Sequence, residues 1–185
     1  MEENKKKKIS TKDMVQIAMF TAVVAVLSQI AIPMPSGVPV TLQTLAVALC
    51  GYVLGSKKGA VSLLVYALLG AVGAPVFANF KGGLGAIAGP TGGFIWGFIF
   101  MAFLCGLGIE SKHKWQAVVL GIAGVLVCHA CGAAQFAIIK GNGFWSSALL
   151  VSVPYLVKDF VSVIIALGAA ALIRSRIKVT AAANQ

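Results

Sequence analysis

The sequence predicts an all-α, polytopic membrane protein with six transmembrane helices and both termini in the cytoplasm. Composition is the first reason. Of 185 residues, 59% are hydrophobic and only 11% are charged, with a mean hydropathy of +0.94. A soluble domain runs at about 45–50% apolar and about 25% charged. The second reason is order: six long apolar stretches alternate between basic and nearly charge-free connections. A hydrocarbon core about 30 Å thick takes roughly 20 apolar residues per helix at about 1.5 Å each, so the chain has room for about six spans and no separate catalytic domain.

The stretches fall at 14–32, 41–54, 60–74, 94–109, 115–139 and 154–173. They imply a basic N-terminal segment at 1–13, a transmembrane domain at 14–174 and a cytoplasmic tail at 175–185. The first stretch follows Lys5, Lys6, Lys7, Lys8 and Lys12. It is longer than the 7–15 residues of a signal peptide's apolar core and no small-residue cleavage site follows, so it reads as a retained span. The lysine run holds the N-terminus inside, and anionic lipid attracts each such charge by about 1 kcal/mol.

Spans two and three flank Lys57 and Lys58, spans four and five flank Lys112, His113 and Lys114, and span six runs into Arg174, Arg176 and Lys178. With the N-terminus inside, these positions place 12 of the 15 cations in the cytoplasm and leave Lys81, Lys140 and Lys158 outside. Positive loops stay inside during insertion, so this split supports the span count and the orientation together. The net charge of +10 is therefore a topology signal. Nucleic-acid binding would need basic residues interleaved with aromatics on an exposed face, and these sit at span ends.

Cys50, Cys105, Cys128 and Cys131 all lie inside spans, unlike an extracellular disulfide framework. Cys128-His129-Ala130-Cys131 lacks the further ligands of a zinc site and has the wrong order for haem attachment, so it reads as small residues packing in a helix. His129 reads as a hydrogen-bonded bundle residue, with a functional role as the alternative; His113 reads as solvated. No phosphate loop of the Gly-x-x-x-x-Gly-Lys-Ser/Thr type occurs, so the chain is not expected to hydrolyse ATP. Glu2, Glu3, Asp13 and Glu110 belong to the cytoplasmic side, which leaves Asp159 as the single outer acid.

A charge in or near hydrocarbon costs a few kcal/mol unless it is paired or faces water, which makes Asp159 a candidate binding residue. The alternative is an interfacial group favoured by a helix N-terminus. Tyr155 and Ser162 share its face at spacings of four and three. Neighbours on a helix diverge by about 100°, so of Lys158 and Asp159 one faces inward and the other snorkels.

Two outer connections complete the pattern. Residues 33–41 carry Pro33, Pro35 and Pro39 and predict a stiff, extended strap able to cover a cavity. Residues 73–93 are apolar enough to dip into the membrane but too rich in glycine and proline for a good helix. Such backbone is tolerated at depth when it is buried in protein or lines a polar cavity.

Four elements taken in order resemble the BioY family, the biotin-specific S components of energy-coupling factor (ECF) transporters. They are Val38-Pro39-Val40-Thr41-Leu42-Gln43-Thr44, Ala78-Asn79-Phe80-Lys81-Gly82-Gly83, Gly89-Pro90-Thr91-Gly92-Gly93-Phe94 and Pro154-Tyr155-Leu156-Val157-Lys158-Asp159. The resemblance covers nearly the whole chain. It implies a six-helix S-component fold in a prokaryotic cell membrane, with biotin held at the extracellular end beneath the first loop. It also implies partners, a transmembrane coupling subunit and two ATPases; ATP is used only by them, and this chain carries no cofactor. Ala18 and Ala22 fit the Ala-x-x-x-Ala docking face of these proteins, a spacing that lets helix backbones approach closely.

Biotin's ureido ring offers two N–H donors and a carbonyl, its thioether ring is apolar, and its tail ends in a carboxylate. A buried site needs an N–H acceptor, a donor, apolar walls and a cation. Asp159 is the candidate for the ureido N–H, because a charge-assisted bond is stronger than a neutral one. Thr41, Gln43 and Asn79 are candidate neutral partners, Phe80, Phe94 and Tyr155 candidate walls, and Lys81, ahead of Lys158, the candidate for the carboxylate. Gly82, Gly83 and Thr91 complete the expected site. Many family members read Gly-Asp-Leu-x-Lys here, whereas in this chain Lys158 precedes Asp159 and Ser162 stands at the usual lysine position. The alternatives are an S component for another small vitamin, a small intramembrane enzyme using Asp159 or His129, and a channel or structural membrane protein.

Overall fold

The computed structural model describes residues 10–183. The Lys5–Lys8 run, with Glu2 and Glu3, lies outside the described residues. Helix α1 spans Thr11–Ser28 and opens on a capping box, in which Ser10 Oγ accepts from the Asp13 amide (3.1 Å) and Asp13 Oδ2 accepts from the Ser10 amide (3.4 Å). The helix ends four residues before the expected boundary of 32. Pro33 disfavours the helical conformation in the residue before it, and Ala31–Ile32 (β1) instead pairs antiparallel with Val40–Thr41 (β2). The proline strap is therefore the tip of a short hairpin, turned at Gly37 with φ +81°.

Helix α2 (Gln43–Leu54) is the centre of the molecule, with nine of its twelve residues buried. It packs against α8 (Val153–Ala183), α5 (Gly92–Glu110), α3 (Ser56–Ala71) and α1. Helix α3 begins four residues earlier than the hydropathy indicates. Gly55, at φ +83°, turns the chain at once, and the Glu110 carboxylate accepts from both the Ser56 amide and the Ser56 hydroxyl at 2.8 Å. A carboxylate at a helix N-terminus satisfies orphan amides and complements the dipole. Arg174 does the converse at the end of α2, donating from Nη1 to the carbonyls of Tyr52 (3.0 Å) and Val53 (3.3 Å). Lys58 ties α3 to α1 through Asp13 (3.0 Å) and Gln16 (2.9 Å).

The 73–93 connection holds one 3-10 turn at Ala78–Phe80 and a five-residue helix, α4 (Leu84–Ala88). Helices α5 and α6 (Trp115–Lys140) form the most extensive helix pair. Glycine makes this possible: a β-carbon on Gly97 would lie 2.7 Å from Cys128 Cα, and one on Gly108 would lie 2.7 Å from Ala117 Cα. Close backbone approach over small residues is how helices associate in lipid, where apolar burial drives nothing. A short helix not anticipated from the sequence, α7 (Phe144–Val151), bridges α6 and α8. Helix α8 continues to Ala183, past the tail boundary expected at 175.

The protein is a mostly helical membrane protein. Among the described residues, four helices are long and apolar enough to cross a membrane: α1, α5, α6 and α8. Helix α2 is apolar but only 12 residues long, and α3 has 16.

Candidate functional site

A cleft opens at the end of the bundle opposite Glu110 and Arg174. It is lined by the hairpin, the 77–81 segment and the facing turns of α2, α5, α6 and α8. Its volume is about 90 Å³, and it is open on one side. Small-molecule sites are mostly apolar with a few convergent polar groups. Phe94, Phe98, Met101 and Val125 supply the apolar floor and wall here.

The charged centre is Asp159, on the second turn of α8 and 4% exposed. Its Oδ2 lies 2.9 Å from His129 Nε2, and its Oδ1 is ion-paired with Lys158. Asp159 faces inward, as helix geometry requires of one of the pair. Lys158 does not run out to the surface, however; it curls back to donate to the Thr41 carbonyl at 2.9 Å, with its side chain 31% exposed. The long aliphatic stem permits this, and the gain is a carboxylate and a strand-end carbonyl for one ammonium. His129 is fixed by Asp159 and by the Phe94 ring, which meets it edge-on at 5.7 Å. Ser162 is buried but bonds back to the Lys158 carbonyl (2.9 Å) and does not line the cleft, so the polar stripe stops at Asp159.

Tyr155, one turn above Asp159, donates to the Val38 carbonyl (2.6 Å) and lies 2.6 Å from Ser36 Oγ, pinning the hairpin to α8. Gln43 donates to Tyr66 Oη (2.6 Å), and Thr41 Oγ1 accepts from the Gln43 amide (3.2 Å), covering an orphan donor at the start of α2. The side chains of Asn79, Lys81 and Thr91 line the cleft and bond to no other described residue.

Nine of the residues expected from the sequence thus meet around one cleft: Thr41, Gln43, Asn79, Lys81, Thr91, Phe94, Tyr155, Lys158 and Asp159. Phe80, Gly82 and Gly83 do not line it. Phe80 is 71% exposed, because positive φ at Asn79 and Phe80 turns its ring outward. Phe77 takes the inward position instead, against a notch on α3 where a Gly70 β-carbon would overlap its ring. Tyr66 meets that ring edge-on at 5.3 Å. Gly82 and Gly83 serve the backbone: Gly83 has φ +91°, and its amide donates to the Gly70 carbonyl at 2.6 Å. Sequence reasoning passed over Phe77, Thr44 and the cleft-facing place of His129. For Thr44 the adjacent Gln43 was a signal; for Phe77 nothing local separates it from Phe80.

Comparison with known proteins places this geometry. A structural match covers 89% of this chain and 91% of the other, with a TM-score of 0.78 at 25% identity; it is a 2.1 Å crystal structure of the S-component for biotin from an ECF-type ABC transporter. The biotin transporter BioY of Thermotoga maritima is 44% identical over 122 residues, spanning 65% of this chain and 72% of that one. The probable biotin transporter BioY of Pyrococcus horikoshii is 37% identical over 153 residues, spanning 83% and 90%. The biotin transporter BioY of Rhodobacter capsulatus is 36% identical over 164 residues, spanning 80% and 86%. The family model described as BioY matches residues 3–179. With a match over nearly all its length, relatives of this similarity and a shared fold, the chain belongs to the BioY family.

Proposed function

We propose that this chain is the substrate-binding subunit for biotin uptake, capturing biotin at the extracellular side and delivering it through an ATP-driven ECF transporter. As a BioY protein it is a transporter component rather than an enzyme. The observation that carries the reading is Asp159, a carboxylate buried at the centre of a cleft and compensated by Lys158 and His129. Two ureido N–H groups present what such a carboxylate accepts, and a charge-assisted bond in a site shielded from water is a strong one.

In this reading the ureido ring enters first. Asp159 accepts from its N–H, while Asn79, Thr91 and Thr41 surround its carbonyl. Gln43 gives one amide N–H to Tyr66 and has a second to offer beside them. Phe94 and Tyr155 flank the rings. The carboxylate tail lies toward the open side, where Lys81 meets it and Lys158 is the second cation. Gly82 and Gly83 support the turn that presents Lys81. No cofactor is needed for capture.

The six principal helices α1, α2, α3, α5, α6 and α8 are the six spans, with both termini cytoplasmic. The short α2 serves as a span because the other helices surround it. In a prokaryotic cytoplasmic membrane the chain docks through Ala18 and Ala22, both exposed on α1, onto a transmembrane coupling subunit carrying two ATPases. Those subunits supply the energy that uphill import requires.

Equilibrium binding of labelled biotin to the purified, detergent-solubilised chain tests this. Saturable one-to-one binding, displaced by unlabelled biotin and not by other vitamins, is the expected result. A folded chain that binds no biotin, or binds another vitamin more tightly, overturns the assignment.

A further inference from the structure

The segment that presents Asn79 and Lys81 is strained, and a side chain outside the cleft brackets it. Asn79 and Phe80 adopt φ of 58° and 55°. In that region the β-carbon is crowded, and a bulky residue such as Phe80 is an outlier. Strained backbone persists only where its surroundings over-determine it, and it gathers at binding sites.

Gln29, at the C-terminal cap of α1, supplies that determination. Its Nε2 donates to the carbonyls of Ala25 (3.0 Å) and Val76 (3.1 Å), and its Oε1 accepts from the Phe80 amide (2.9 Å). One side-chain amide therefore ties both ends of the 76–80 stretch to α1. Val76 carries a second bond, from Tyr66 Oη at 3.0 Å, and the same hydroxyl accepts from Gln43 Nε2 at 2.6 Å. The path from Gln29 thus runs through Val76 and Tyr66 to Gln43 and Thr41, on the opposite wall. Phe77 and Gly83 fix the base of the loop against Gly70, while Gln29 reaches the strained pair itself.

From this geometry we infer that Gln29 is a positioning residue: it holds the 76–80 turn so that Asn79 and Lys81 face the cleft, and ligand affinity depends on it although it does not line the site. The inference rests on the reading of the cleft as the biotin site. Gln29→Met keeps length and removes both hydrogen-bonding functions; Gln29→Glu keeps an acceptor for the Phe80 amide and loses the donor to Val76. Biotin affinity of the full, solubilised chain falls about tenfold in Gln29→Met and by less in Gln29→Glu.

The same Gln29→Met change made in Lys81→Ala costs clearly less, because a group it positions is already gone; independent sites would multiply their losses. Hydrogen exchange of the ligand-free protein shows faster exchange at 76–81 in Gln29→Met and unchanged protection in α5 and α6. Wild-type affinity in Gln29→Met, an equal fold loss in both backgrounds, or unchanged exchange at 76–81 overturns the inference. If the wild-type chain binds no biotin, the substrate reading fails, and the exchange measurement alone decides whether Gln29 holds the loop.

Discussion

Asp159→Asn is the most informative perturbation, because it preserves shape while removing one charge from the centre of the cleft. The side chain is 6% exposed and faces His129 at 2.9 Å and the Lys158 ammonium. For the ligand, an N–H donated to a carboxylate becomes one donated to an amide oxygen. Hydrogen bonds to charged groups contribute about 1.5–3 kcal/mol and neutral ones about 0.5–1.5 kcal/mol, so the expected loss is about 1–1.5 kcal/mol, or roughly tenfold in Kd.

A second effect has the opposite sign. Biotin's own carboxylate is repelled by Asp159, and at about 10 Å and an effective dielectric of about 20 that repulsion is about 1.7 kcal/mol. Removing it can mask the first loss. The assay therefore measures biotin and its neutral amide side by side, by calorimetry on the solubilised protein. The amide, which feels no such relief, loses the full tenfold, whereas biotin affinity stays within a few-fold of wild type, because about 1.7 kcal/mol of relief offsets about 1–1.5 kcal/mol of loss. Protein stability falls only by about 1 kcal/mol, short of the about 3–5 kcal/mol for breaking a fully buried pair. Lys158 keeps the Thr41 carbonyl and, at 31% side-chain exposure, reaches water. If Asp159→Asn binds the neutral amide as tightly as wild type, Asp159 does not accept the ureido N–H and the proposed ligand orientation is wrong.

Three further predictions separate the parts of the site. Lys81→Ala weakens biotin by about 1 kcal/mol and leaves its amide nearly unaffected, and the difference between wild type and variant shrinks as salt is raised, since Lys81 is exposed; equal loss for both ligands would assign the carboxylate elsewhere. Tyr155→Phe removes the donor to Val38 while keeping the ring. It costs about 0.5–1.5 kcal/mol of hairpin attachment and speeds biotin dissociation by about three- to tenfold in stopped-flow measurements. An unchanged rate would mean that the hairpin does not gate the cleft. Gly97→Ala places a β-carbon 2.7 Å from Cys128 Cα, so α5 and α6 must part by about 1 Å to restore ordinary carbon contact. That costs about 1–3 kcal/mol, read as a lower melting temperature in detergent; an unaltered melting temperature would show that the pair is loosely packed.

Some of this protein was written in the order of its residues alone. Hydropathy and charge are local, so the principal apolar stretches and the alternation of basic and uncharged connections are legible without a fold. Asp159 stands out for the same reason: the single acid on the outer side, near the start of an apolar stretch, is conspicuous in one dimension, because the cost of burying its charge demands an explanation. The limits of legibility were also physical. The start of α3 moved to Ser56 because Glu110, 54 positions away, caps the turn. Helix α7 was missed because its short run of apolar residues is too brief to carry a period.

The cleft itself is a tertiary product. Phe77 and Phe80 are three residues apart in one glycine-rich loop, and nothing in that loop distinguishes them. The Gly70 notch on α3 receives one ring, and the Gln29 amide holds the backbone turn that expels the other. Lys158 reads as a snorkelling residue until the hairpin brings the Thr41 carbonyl within its reach, and His129 reads as a packing residue until α8 sets Asp159 beside it. Chemical type and helical face are properties of neighbours along the chain, whereas a hydrogen bond exists only between atoms that packing has brought within about 3 Å. Composition and order therefore determined that this chain is a helical membrane protein with one anomalous acid; the packing of distant segments decided what surrounds that acid.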